Sequence, residues 1–190
     1  MRIGLYFGSF NPIHVGHLII ASYIVNNTDI EQAWFVVSPQ NPLKNSASLL
    51  NEYHRLHLVK LATEDNDQLK ANDVEFKLPR PSYTIDTIAY LQEKYPQHEF
   101  VIIMGSDSLR NIEKWKNYRE LLKRNSFIIY KRPGYEVIME PNKNITVLDA
   151  PLLEISATVI RKLVQEGRSI RYMVPDAVME EIEKAGYYKN

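Results

Sequence analysis

Short runs that are apolar throughout do most to limit what this chain can fold into. Ile3–Phe7, Trp34–Val37, Phe100–Met104, Phe127–Tyr130 and Ile145–Leu148 are brief, rich in β-branched or aromatic residues, and bounded by Gly, Pro, Asn or Lys. A strand with one wet face alternates apolar and polar residues; a run without alternation suits a strand covered on both faces. Asp73–Phe76 is a further strand candidate. Helical patterns fill the intervals at about His14–Asn26, Leu50–Glu64, Tyr83–Lys94, Leu109–Lys123, Thr158–Glu166 and Asp176–Ala185. In the last, Val174, Val178 and Ile182 recur at four-residue spacing, with Pro175 at the start and Gly186 just past the end. Strand and helix in alternation predict an α/β fold, a doubly wound parallel sheet flanked by helices. No repeat, low-complexity tract or linker composition interrupts the pattern, so residues 1–190 are read as a single domain.

Composition removes several alternatives. The 190 residues contain no cysteine, which excludes disulfide scaffolds and cysteine-ligated metal sites. Lys and Arg total 23 against 23 Asp and Glu, a balance that argues against a chain whose business is coating nucleic acid. The N-terminus lacks a signal-peptide run, and the apolar-rich stretch Leu18–Val25 is far short of the ~20 residues of a membrane span. A cytoplasmic protein that binds neither nucleic acid nor membrane is expected; oligomeric state is not legible.

In an open parallel sheet, ligands bind beyond the carboxyl ends of the strands, where strand order reverses. Beyond Phe7 the chain reads Gly8-Ser9-Phe10-Asn11-Pro12-Ile13-His14-Val15-Gly16-His17. Gly8 would let a ligand approach the backbone. The helix should begin near His14, and a helix start offers unpaired N–H groups and partial positive charge to an anion. His14 and His17 share one face of the first turn. Gly16 between them would remove bulk where a phosphate sits. Two imidazoles beside helix-end amides suit a polyphosphate, a reading that spacing alone favours only modestly over a capped surface helix; half a metal site would lack an acidic or third histidine partner nearby. Near the C-terminus, Ile155-Ser156-Ala157-Thr158-Val159-Ile160-Arg161 looks like a second helix start, with Ser156 as N-cap, Gly167 as the stop, and Thr158 and Arg161 on one face.

Together these stretches resemble the G-x-F-x-P-x-H-x-G-H and I-S-S-T-x-I-R motifs of the nucleotidyltransferase superfamily. Arg80-Pro81-Ser82-Tyr83-Thr84-Ile85-Asp86-Thr87 is similar to the R-P-S-Y-T-x-D-T segment of its bacterial nicotinate mononucleotide adenylyltransferases. Met104-Gly105-Ser106-Asp107 with the downstream Trp115, the loop Ser38–Lys44, and the closing Arg171–Pro175 and Gly186–Tyr188 resemble that family too. The sequence departs from it at Ala157, in place of a second serine, and at Asn11, where many relatives carry Asp.

The resemblance implies a Rossmann-like nucleotidyltransferase fold and adenylyl transfer from ATP to nicotinate mononucleotide. It gives His14, His17 and Arg161 the catalytic role. It places ATP against Gly8, Ser9 and Phe10 in the first turn, Gly105 and Asp107 after the central strand, and Ile155, Ser156 and Thr158 in the late motif. Tyr83 and Thr84 fall where the family binds nicotinate, Trp115 is the platform for the pyridine ring, and Lys44 and Arg132 complete the mononucleotide site. Mg²⁺ is expected to travel on the ATP phosphates, with no ligand from the protein. His54 and His57 match no motif position and are read as structural, and His98 is read as a loop residue. Ser82 could cap the following helix, and Asp107 could cap its own. An adenylyltransferase for phosphopantetheine or nicotinamide mononucleotide, or a nucleotide-binding regulator without turnover, are the alternatives.

Overall fold

The computed structural model describes residues 1–40, 48–137, 143–151 and 153–189. The elements, in order, are β1 (Arg2–Gly8), α1 (Val15–Asn27), β2 (Gln32–Val37), α2 (Glu52–Thr63), β3 (Leu69–Asn72), a 3-10 turn (Val74–Lys77), α3 (Thr84–Lys94) and β4 (Glu99–Gly105). They continue with α4 (Ser106–Leu109), a second 3-10 turn (Ile112–Lys114), α5 (Tyr118–Arg124), β5 (Ser126–Tyr130), β6 (Ile145–Leu148), α6 (Ala157–Gln165) and α7 (Asp176–Ala185). The strands form one six-stranded sheet in the order β3-β2-β1-β4-β5-β6. Every pairing is parallel, as the unalternating runs require.

The pleat divides the strand side chains between two cores. Along β4, Val101 and Ile103 face one cluster, with Ile20 and Ile24 of α1, Leu58 of α2, Ile160 of α6 and Val178 of α7. Phe100, Ile102 and Met104 face the other, with Ile88 and Leu91 of α3 and Leu121 of α5. Each fully buried Ile or Leu contributes roughly 1.5–3 kcal/mol, so the two layers account for why the sheet is covered on both sides. The chain order reverses between β1 and β4, and the crevice at that switch point opens beyond Gly8 and Gly105.

Two expected elements differ. Asp73–Phe76 is not a strand: Val74–Lys77 is a 3-10 turn, and the third strand is Leu69–Asn72. That strand lies at the sheet edge and pairs only with β2, so Leu69 is its one buried residue and it needs no apolar run. The helix expected over Leu109–Lys123 is broken into α4, a 3-10 turn and α5, because Trp115 is extended and Asn117 takes a left-handed conformation (φ 52°). The caps of α6 and α7 are as expected: Ser156 Oγ accepts from the Val159 N–H, and Gly167 and Gly186 are left-handed. Among the described residues, no helix is long and apolar enough to cross a membrane.

Candidate active site

The turn after β1 is built around an aromatic ring. Phe10 is left-handed (φ 44°) and 3% exposed, packed edge-on against Tyr6, Phe35 and His17. A non-glycine residue in that region costs about 1–2 kcal/mol, which burying a phenyl ring outweighs. A Cβ on Gly8 would lie 2.8 Å from the ring. Gly8 therefore makes room for Phe10.

Asn11 follows, 8% exposed and linked to Pro12 by a cis peptide. Its Oδ1 accepts from the Leu50 N–H (3.1 Å) and the Tyr188 hydroxyl (3.0 Å), while Nδ2 donates to the Ser48 carbonyl (2.8 Å). Only an amide can both accept and donate in this way, so the departure from Asp has a structural use here.

His14 caps α1 and is 6% exposed, with its Nδ1 buried and without a hydrogen-bond partner. Its ring stacks on that of His17 at 3.7 Å. Burial, reinforced by the nearby Arg132 charge, lowers its pKa from 6.5 to about 4, so the ring is neutral at pH 7. The His14 backbone N–H donates to His17 Nδ1 (3.3 Å), which leaves the proton of a neutral His17 ring on Nε2. A Cβ on Gly16 would lie 3.1 Å from His14 Nδ1. The His14 ring therefore lies against the space beside that glycine.

The late motif meets this turn directly. One Arg161 guanidinium nitrogen donates to the Asn11 carbonyl at 2.8 Å across 150 residues of sequence, and the other to Thr158 Oγ1 at 3.3 Å. Ile155 packs on the edge of the core that holds α6.

On the other side of the crevice, a Cβ on Gly105 would collide with the Asp107 carboxylate and lie 3.0 Å from the Tyr130 ring. Asp107 Oδ1 is buried without a partner, and Oδ2 pairs with Arg132 at 3.3 Å. Asp107 therefore does not cap its helix; Gly105 stands at that position. The Arg132 backbone N–H donates to Ser106 Oγ (2.9 Å), which sets this arginine beside Asp107, one of the residues expected to hold ATP. Tyr6 and Tyr130 share a buried hydroxyl contact at 3.0 Å beneath, and burial raises the pKa of both.

At the start of α3, Tyr83 is the N-cap and Thr84 the first helical residue. The Ser82 hydroxyl donates to Glu75 (2.8 Å), so it does not cap the helix. The Lys116 ammonium lies 4.8 Å over the Tyr83 ring and pairs with Asp86 (2.7 Å), joining this segment to the stretch that carries the half-buried Trp115. Lys44 lies outside the described residues. His54 bonds to the Tyr187 hydroxyl (2.9 Å) and His57 approaches Glu181 (3.7 Å), both tying α2 to the C-terminal segment, as their structural reading required.

Arg55 is the residue that motif reading missed. It is 0% exposed, and its guanidinium donates to the carbonyls of Leu50 (2.7 Å), Ser9 (2.6 Å), Ser38 (2.8 Å) and Pro39 (2.8 Å). Burial lowers its pKa to about 10, which leaves it charged, and it clamps the chain beyond β1 to the chain beyond β2. A signal existed: Arg55 stands in line with Leu58, Val59 and Ala62, on the apolar stripe of α2.

Residues 5–163 match the cytidylyltransferase-like family. The chain is 50% identical over 191 residues to a probable nicotinate-nucleotide adenylyltransferase of Cytophaga hutchinsonii, with 100% of both chains covered. It is 47% identical over 192 residues to the protein so named in Flavobacterium psychrophilum, again with 100% of both covered. A structure of the nicotinic acid mononucleotide adenylyltransferase of Plasmodium falciparum, complexed with NaAD, has the same fold: TM-score 0.81 at 21% identity, covering 98% of this chain and 97% of that one. With full-length identity of this order, and with the two histidines and the late arginine gathered at the switch point of the sheet, this chain belongs to the nicotinate-nucleotide adenylyltransferase family of cytidylyltransferase-like proteins.

Proposed function

We propose that this chain transfers the adenylyl group of ATP to nicotinate mononucleotide, forming deamido-NAD and pyrophosphate in NAD biosynthesis. The carrying observation is the Arg161–Asn11 contact, which sets the late guanidinium on the turn that bears His14 and His17.

The acceptor is already an anionic phosphate, so no base is needed to activate it. One of its oxygens attacks the α-phosphorus, the bond from that phosphorus to the bridging oxygen breaks, and pyrophosphate leaves with the electron pair. Catalysis then consists of bringing two anions into line and spreading the charge that develops. His17 offers Nε2–H, and a guanidinium at the start of α6 suits the leaving pyrophosphate. His14, neutral when ligand-free, brings a second imidazole to the phosphates beside the first-turn amides of α1. The unpartnered Asp107 oxygen suits a ribose hydroxyl, with Gly105 and Arg132 setting its position. Gly8, Ser9 and Phe10 shape the turn, and Ile155, Ser156 and Thr158 the late helix start. Tyr83, Thr84 and Trp115 are assigned to the pyridine, and Lys44 and Arg132 to the mononucleotide phosphate.

Among the described residues, no cluster of His, Asp or Glu is arranged to hold a metal ion. Mg²⁺ fits as a companion of the triphosphate, which supplies oxygen ligands and whose charge it offsets.

The test is pyrophosphate release from ATP with nicotinate mononucleotide, its amide or phosphopantetheine as acceptor. The first should give the highest kcat/KM. Preference for phosphopantetheine, or nucleotide binding without pyrophosphate release, would overturn the assignment.

A further inference from the structure

One buried carboxylate has no part in the chemistry above. Glu75, in the 3-10 turn Val74–Lys77, is 2% exposed. What surrounds it are hydroxyls: Ser82 Oγ donates to Oε2 (2.8 Å) and Thr87 Oγ1 to Oε1 (3.0 Å), with the Ser38 side chain near enough to help hold the carboxylate's pKa down. Burial pushes its pKa up, while the three hydroxyl side chains oppose the shift. An acid in such a place stabilises a fold less than an apolar residue of the same size would, so stability alone does not account for it.

The three hydroxyls come from parts of the chain that the proposed reaction needs held together. Ser82 precedes Tyr83, the N-cap of α3, and Thr87 lies one turn into that helix with 0% exposure. Tyr83 provides no side-chain cap, so the first amides of α3 depend on this anchoring for their direction. Ser38 is itself fixed to the phosphate turn: its N–H donates to the Gly8 carbonyl (2.9 Å) and its carbonyl accepts from Arg55 (2.8 Å).

We infer that Glu75 is a positioning residue for the pyridine nucleotide, setting the start of α3 in register with the turn that receives ATP. The inference rests on the assignment of Tyr83 and Thr84 to the pyridine. It predicts a split between substrates that general loosening of the fold would not produce.

Initial rates with each substrate varied in turn, together with thermal unfolding, test it on Glu75→Gln, Ser82→Ala and Tyr83→Ala. Glu75→Gln should raise KM for nicotinate mononucleotide about tenfold, the worth of one charge-assisted hydrogen bond, with KM for ATP held within about twofold. Ser82→Ala, which removes a single donor, should shift the same constant in the same direction by about threefold, and it serves if the glutamine variant does not fold. A rise in both KM values together, or a fall in kcat alone, overturns the inference. So does a normal KM in the Glu75 and Ser82 variants while Tyr83→Ala raises it. If all three variants keep a normal KM for the mononucleotide, the pyridine assignment fails, and the inference with it.

Discussion

Acidifying the ligand-free protein should reveal His14. The fold accepts its neutral ring: the unfolded chain takes up a proton near pH 6.5, the folded chain only near pH 4, because the ring is buried and lies near the Arg132 charge. Within that window the unfolded state binds more protons, so stability is greatest above it and falls as the pH is lowered through it. Each pH unit is about 1.4 kcal/mol, so going from about pH 7.5 to about pH 4.5 should remove about 2.5 kcal/mol on account of this one side chain. Urea unfolding of the native protein and of His14→Gln across that range isolates the contribution, since carboxylates elsewhere titrate alike in both. The native protein should lose about 2.5 kcal/mol more than the variant. A triphosphate supplies the opposite charge the ring lacks, so a saturating ATP analogue should shrink the difference. Parallel pH profiles for the two ligand-free proteins would refute the burial argument.

His17→Ala should keep the fold and lower turnover by about 10²–10³-fold, as loss of a preorganised donor does; unchanged pyrophosphate release at saturating substrates would remove His17 from the mechanism. Gly16→Ala should lose activity because its Cβ would press on the buried His14 ring from 3.1 Å, while the gain of about 1 kcal/mol from alanine in a helix offsets the crowding; kcat should therefore fall with little change in melting temperature. Arg55→Met leaves four backbone carbonyls without their donor and should cost about 3 kcal/mol or more in urea unfolding, with activity reduced through the displaced phosphate turn.

The strand runs, the helix spans of α1, α6 and α7 and their caps were legible because each depends on a few neighbouring residues: the period of the apolar pattern, a serine before a helix, a glycine after it. The edge strand β3 and the broken α4–α5 region were not. In one, exposure at the sheet edge removes the apolar signal; in the other, an extended Trp115 and a left-handed Asn117 interrupt what looks like a continuous helix.

At the site, the residue types were readable and several of their reasons were not. His14, His17, Ser156 and Arg161 stand out by motif and spacing. That Gly8 makes room for Phe10, Gly16 for His14, and Gly105 for Asp107 is visible only once side chains occupy those spaces. Arg55 and Glu75 look like ordinary helix and turn charges until both are found sealed inside, gripping backbone and hydroxyls from separate loops. Local periodicity and capping are written in adjacent residues, whereas burial and pairing arise when distant surfaces meet. The sequence separation of 150 between Arg161 and Asn11 is bridged by a 2.8 Å contact that exists only because the sheet brings α6 to the end of β1.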